Sequence, residues 1–259
     1  MVEVDATYYS LPSRSTAAAW DARTPPDFTF DIKAHALMTG HPTDVRRLPD
    51  WVRRTLPPRK DASTRIYTSD LPAEILDEVW SRFRSALEPI RASGKLGAIM
   101  LQFPRWFEPT RAAANALRRA KELLGDDCAT VEFRNRAWME GRIAARTIAL
   151  LTELQLSYVI VDAPPGMQSS MPPTVAVTDP RLAVFRLHGR RVATWEAKND
   201  PVTERYRYLY DREQLREWLP DVFRTAFNVA RVHMTFNNNH ANYATTNAAE
   251  MADIVSMSS

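Results

Sequence analysis

The 259-residue chain has a single cysteine, Cys128, so no intramolecular disulfide stabilises it. Glycine is also scarce, at seven residues, and no G-x-G-x-x-G word occurs. That removes the Gly-rich turn on which a dinucleotide pyrophosphate rests. The spacings HExxH and HxH and clustered Cys/His are missing, and so is the G-x-S-x-G turn that exposes a serine nucleophile. No window approaches the ~18 consecutive apolar residues of a membrane-crossing helix. The opening residues, MVEVDATYYSLPSR, lack the basic start and apolar stretch of a signal peptide. A protein with no membrane partner, in a reducing cytoplasm, is the expectation. No cofactor is expected.

The composition is that of a globular protein, 45% hydrophobic and 25% charged, long enough to bury a large core. The balance of +3 and a pI near 9.1 fit two readings. One is an arginine-rich solvated surface. The other is attraction to phosphates, nucleotides or nucleic acid, for which so small a charge is no proof. With 18 prolines, turns and helix starts rely on Pro, Asp and Ser.

Strand-like and helix-like patterns alternate along the chain. Short runs rich in Val, Ile and Phe predict strands at Val2–Tyr9, Phe28–Lys33, Leu96–Phe103, Thr130–Arg134, Ser157–Asp162, Leu182–His188 and Arg231–Asn237. Helical patterns fall at Ser13–Arg23, Asp70–Ser93 with a kink at Pro89, Pro109–Leu124, Gly141–Leu154, Asp211–Phe227 and Ala241–Val255. Such alternation implies a parallel sheet covered by helices. Without a dinucleotide turn, a TIM-like (β/α) barrel is favoured over a doubly wound sheet. No internal repeat or flexible linker divides the chain, so residues 1–259 read as one domain. His41–Thr68 breaks the rhythm, with Arg46, Arg47, Arg53, Arg54, Arg59, Lys60 and Arg65 against Asp44, Asp50 and Asp61. It reads as a solvated loop or as a basic lid.

Side chains alternate between strand faces. The less apolar faces carry Glu3 and Asp5, then Lys33, Gln102, Glu132 with Arg134, Asp162, Arg186 with His188, and His233 with Asn237. If those faces form a barrel interior, Lys33, Gln102, Arg134, Asp162, His188 and Asn237 meet at the C-terminal mouth, where barrel active sites lie. Buried charges must pair or serve a ligand. A closed network Glu132–Arg134–Asp162–Arg186 is the structural alternative.

The stretches VEVDATYYSLPSRSTAAAW, PPDFTFDIKA, LGAIMLQFP, VEFRNRAW, VFRLHGR, YRYLY and FNNNHANYATTNA resemble, in this order, the YecE-like family, also called domain of unknown function 72. The resemblance covers nearly the whole chain. It implies a TIM-related barrel without an assigned activity, and recurring polar positions at Glu3, Lys33, Gln102, Glu132, Arg134, Trp138, Arg186, His188, Asn237, Asn238 and Asn247. Members begin with a Gly-rich first strand like G-T-S-G-W. Here the chain starts at the next word, so seven of eight strands are expected, with the remaining one upstream. Asn242 stands where the family tends to have Gly, and Asn tolerates the left-handed backbone such a turn needs.

Three functions follow. The first is binding or transforming a phosphorylated or otherwise anionic substrate without metal. Lys33, Arg134 and Arg186 would hold the anion, and Glu132 or His188, the latter titrating near neutrality, would act as acid or base. Gln102, Asp162, Asn237 and Asn238 would help bind, and Trp138 with Tyr206, Tyr208 and Tyr210 would wall the pocket. The second is a metal-dependent hydrolase or nuclease using His188, His233, Glu132, Asp162 and Glu3. The third is a non-catalytic nucleic-acid or protein-binding module whose basic loop touches phosphates. Cys128, without a neighbouring His, reads as an incidental thiol, and His35, His41 and His240 as loop or surface residues.

Overall fold

A computed structural model describes residues 1–56, 64–196, 204 and 206–258. Among them are seven strands of one sheet and a two-stranded ribbon. In chain order these are β1 (Val2–Val4), β2 (Phe30–Lys33), the ribbon strands β3 (Thr43–Asp44) and β4 (Arg65–Ile66), then β5 (Leu96–Gln102), β6 (Ala129–Glu132), β7 (Ser157–Asp162), β8 (Ala183–Leu187) and β9 (Val232–Phe236). The sheet order β1-β2-β5-β6-β7-β8-β9 follows the chain, as parallel β-α units require. The fold is α/β and TIM-like, with the seven strands the alternation predicted. Among the described residues no helix is long and apolar enough to cross a membrane.

The chain divides into two compact units: residues 1–104 with 111–130, and 105–110 with 131–259. In the first, β1 pairs with β2 and β2 with β5, so that Glu3 lies beside Asp31, and Asp31 beside Ala98. Phe30, Ile32, Ile99 and Leu101 occupy the alternate positions and are buried. The helix Arg111–Leu124 buries Ala113, Leu117, Ala120 and Leu124, one stripe at helical spacing. Full burial of a leucine such as Leu117 contributes roughly 2 kcal/mol. Gly125, at φ 60°, ends that helix in the left-handed conformation. Asp127 then draws Arg84 (2.9 Å) and Arg91 (2.7 Å) onto one buried carboxylate, tying three segments together.

In the second unit β7, β8 and β9 are parallel, with Val161 beside Arg186 and Arg186 beside Thr235. The helix Gly141–Glu153 follows a 3-10 turn at Arg136–Met139, and Tyr243–Ser258 closes the described chain.

Several predicted elements are shorter than expected. The first strand stops at Val4, and Ala6–Tyr9 forms a helical turn. There the Thr7 hydroxyl donates to the carbonyls of Val4 (3.1 Å) and Lys33 (2.6 Å), a local alternative to the ladder. Asp5 therefore lies beyond the strand. The Asp70–Ser93 helix is two helices, Ala73–Ala86 and Glu88–Ala92, because Pro89 lacks the N–H that would continue the first. Asp211–Phe227 likewise separates into Arg212–Arg216 and Leu219–Ala226, with Pro220 in the first turn of the second. In the turn before the last helix the left-handed residue is Ala241 (φ 49°) rather than Asn242.

His41–Thr68 holds more order than a solvated loop. It contains the ribbon β3–β4, a 3-10 turn Val45–Arg47 and a helix Asp50–Arg53. Asp44 binds Arg46 at 2.5 Å and Asp50 binds Arg53, so four of its seven described charged side chains pair with one another. Arg59, Lys60 and Asp61 lie outside the described residues.

Candidate functional site

The second unit gathers five of the expected residues around one carboxylate. Glu132, the last residue of β6, is fully buried, and so are Arg186 on β8 and His188 just past its end. The Arg134 Nε lies 2.6 Å from Glu132 Oε1 and the Arg186 Nη1 2.9 Å from Oε2. His188 Nε2 is 3.2 Å from Oε1. On the far side of the ring, Asn237 donates its amide to His188 Nδ1 at 2.9 Å. With Nδ1 accepting, the hydrogen sits on Nε2 and is donated to Glu132.

Electrostatics fixes both charge states. Burial alone would raise the Glu132 pKa, but Arg134, Arg186 and His188 outweigh it and hold the carboxyl well below the usual carboxylate range. For His188, burial, aided by Arg134, pushes the pKa down to about 3 against the pull of Glu132. The expectation that His188 titrates near neutrality is therefore corrected. A ring enclosed beside guanidinium groups does not take a proton there, and both of its nitrogens are engaged.

Arg134 differs from Glu132, Arg186 and His188 in reaching solvent, its side chain being 14% exposed. The guanidinium carbon lies 5.4 Å from the centre of the Trp195 ring, a cation–π seat. Trp195 in turn packs against His188 (5.9 Å) and Tyr206 (6.3 Å). With Nε spent on Glu132, the two terminal amino groups of Arg134 have no partner among the described residues.

The turn beyond β8 depends on a glycine. Gly189 has φ 93°, and a Cβ there would stand 2.5 Å from the Cβ of Tyr208. Its N–H donates to the Tyr210 hydroxyl at 2.8 Å. Tyr208 and Tyr210 are themselves held from behind. Asn238 donates to the Tyr208 carbonyl (2.8 Å) and to Asn247 Oδ1 (2.9 Å), while Asn247 donates to the Tyr210 carbonyl (2.8 Å). Asn238 thus clasps backbone.

Other expected residues lie elsewhere. Asp162 does not join the Glu132 network. The register sets Val161 beside Arg186 and Asp162 beside Leu187, so Asp162 faces the opposite side of the sheet. There it accepts from Arg190 Nε at 2.9 Å and from Trp218 Nε1 at 3.4 Å, while burial pushes its pKa up. Its phase looked right because β7 is buried on both faces, which hides the alternation. Trp138 is an interior stack, 4.3 Å from Phe133, with Nε1 bonded to the Phe107 carbonyl at 2.6 Å. Lys33 belongs to the first unit, where Nζ pairs with Asp5 at 3.1 Å and lies 4.9 Å from the Tyr8 ring centre. Gln102, half-buried, ends β5 of that unit.

His233 is buried on β9, on the face that Arg186 shares. Among the described residues no group of three or more His, Cys, Asp or Glu side chains is placed to hold a metal. Cys128 is half-buried just before β6. Sequence reasoning missed Trp195 and Arg190. An R-V-A-T-W word after the strand carries no periodic signal, and Arg190 stands outside the strand phase. His35, read as a loop or surface residue, does lie in the loop before the Ala36–Thr39 turn, but its ring is fully buried, with Nδ1 accepting from the Leu37 N–H at 3.3 Å.

Fold and site together define a TIM-like α/β protein with a buried guanidinium–carboxylate–imidazole network. The chain belongs to the family described as Protein of unknown function DUF72, whose model matches residues 1–259. It is similar to the UPF0759 protein YunF of Bacillus subtilis (strain 168), 26% identical over 98% of this chain and 83% of that protein. A crystal structure of a DUF72 family protein from Enterococcus faecalis V583 superposes with a TM-score of 0.81 at 26% identity, over 98% of this chain and 84% of that one. One from Thermotoga maritima MSB8 gives 0.73 at 26% identity, over 96% and 82%.

Proposed function

We propose that this protein binds an anionic group, a phosphate or a carboxylate of a small substrate, at Arg134, without a metal. One observation carries the reading: a guanidinium fixed by Glu132 and Trp195 whose two terminal amino groups have no partner among the described residues. Holding Arg134 in place beforehand lowers the entropy cost of binding, and paired N–H donors match the planar edge of an oxyanion. Asn237 lies beyond His188 and is half-buried, within the same cluster. In this reading Glu132, His188 and Arg186 are positioning residues, since their charge states are locked. A metal at Glu132 is disfavoured because two guanidinium groups occupy its oxygens.

The test is a melting-temperature series with inorganic phosphate, sulfate and acetate at constant ionic strength, with and without EDTA. Binding to the folded state raises the melting temperature by mass action. The reading expects a rise with phosphate that EDTA leaves in place. No rise with any anion, or a rise that EDTA abolishes, overturns it.

A further inference from the structure

A cavity of about 420 Å³ lies in the first unit beside the β3–β4 ribbon. Tyr8, Tyr9, Thr43, Asp44, Arg47 and Arg65 line it. Three features of its wall have no structural use that accounts for them together.

The first is aromatic. Tyr8 and Tyr9 meet edge to face at 5.0 Å, and Tyr9 is 52% exposed. The second is charge. Asp44 is the only carboxylate among the six lining residues named, and Arg46 already holds it through Nε and Nη2. Arg47 makes no hydrogen bond or salt bridge among the described residues; the carboxylate that feels its charge is Asp44, already held by Arg46, and its guanidinium rests 5.2 Å from the Tyr9 ring centre. The third is Thr43. Its hydroxyl is buried, with the residue 4% exposed, and finds no hydrogen-bond partner among the described residues. A buried hydroxyl left unsatisfied is costly unless a ligand or water completes it.

We propose that this cavity binds a nucleotide, with the base stacked on Tyr9, the phosphate on Arg47, and the Thr43 hydroxyl hydrogen-bonded to the base or ribose. A bare phosphate would leave the tyrosine wall and Thr43 unused. A neutral aromatic ring would leave Arg47 sharing with Arg46 the single carboxylate of Asp44. One molecule carrying both a planar ring and a phosphate answers all three features, and aromatic rings interleaved with arginine are how proteins hold unpaired nucleotides. The same chemistry is offered by a free nucleoside monophosphate and by the end of a single strand. This site is separate in sequence and in unit from Arg134, so the two proposals stand or fall independently.

The experiment is calorimetric titration of the full chain with AMP, GMP, CMP and UMP, with adenosine, with inorganic phosphate, and with a short 5′-phosphorylated single-stranded oligonucleotide. It is repeated on Y9A, R47Q and R134Q. Tyr9 and Arg47 are exposed, so both variants should keep the wild-type melting temperature, which is measured alongside. The expected result is that a monophosphate or the oligonucleotide binds and adenosine binds more weakly. Y9A and R47Q each weaken that binding about tenfold or more, the scale of one lost stacking or phosphate contact, and each does so again when combined with R134Q, which removes any phosphate held at Arg134. Binding by monophosphates assigns a free nucleotide; binding by the oligonucleotide alone assigns a strand end. No binding by either, or binding untouched by both Y9A and R47Q, overturns the proposal. Binding lost only in R134Q also overturns it and assigns the phosphate to the other site.

Discussion

The imidazole of His188 and the carboxylate of Glu132 lie 3.2 Å apart with neither side chain touching solvent. In the proposed reading this contact positions Arg134 rather than passing a proton. Arg134 and Arg186 have already claimed the carboxylate, and Asn237 has claimed the other ring nitrogen.

A pH dependence of stability follows. His188 is held down to about 3 and His35, by burial, to about 4. Unfolded, each takes a proton near the ordinary value of about 6.5. The unfolded state therefore binds more protons below that pH, and stability falls as pH drops from about 6.5 towards 3. The slope should reach roughly 1 kcal/mol per pH unit for each ring. Urea denaturation between pH 7 and 5 measures it, and H188Q should show a shallower dependence than wild type. An equal slope in the variant would remove His188 from the account.

Glu132→Gln should destabilise the fold by roughly 3 kcal/mol, the scale for breaking a buried ion pair. It removes the charge facing Arg186 while keeping the shape. Chemical denaturation reads this directly, and a loss below about 1 kcal/mol would mean that Arg186 is compensated elsewhere.

Gly189→Ala should cost at least about 2 kcal/mol, because the substitution meets both an unfavourable φ and the Tyr208 side chain. The melting temperature is the readout, with Gly40→Ala as the comparison. Gly40 has φ 75° but no heavy atom within 4 Å of an added Cβ, so its loss should be the smaller.

Much of this was legible in the chain. Ser157–Asp162 was found with its observed limits, and Glu132, Arg134, Arg186, His188 and Asn237 came from alternation alone. Those residues sit on or just beyond strands with one polar face, where a period of two identifies the side. Asp162 misled because both faces of β7 are buried, so polarity no longer marks the interior. The protonation state of His188 was beyond the sequence, since it depends on burial and on Arg134, which are properties of the folded neighbourhood. Trp195 was hidden for a related reason: its role comes from lying under Arg134, and no spacing records that.

The most direct test of the central claim is calorimetric titration of inorganic phosphate into wild-type protein, R134Q and R134K at low ionic strength. The account predicts measurable binding to wild type, none to R134Q, and weaker binding to R134K, which keeps the charge but loses the fork of donors. R134K, which keeps the charge facing Glu132, should stay near the wild-type melting temperature, whereas R134Q should melt lower, so folding at the titration temperature is checked alongside. Phosphate binding of equal strength in wild type and R134Q would contradict the claim.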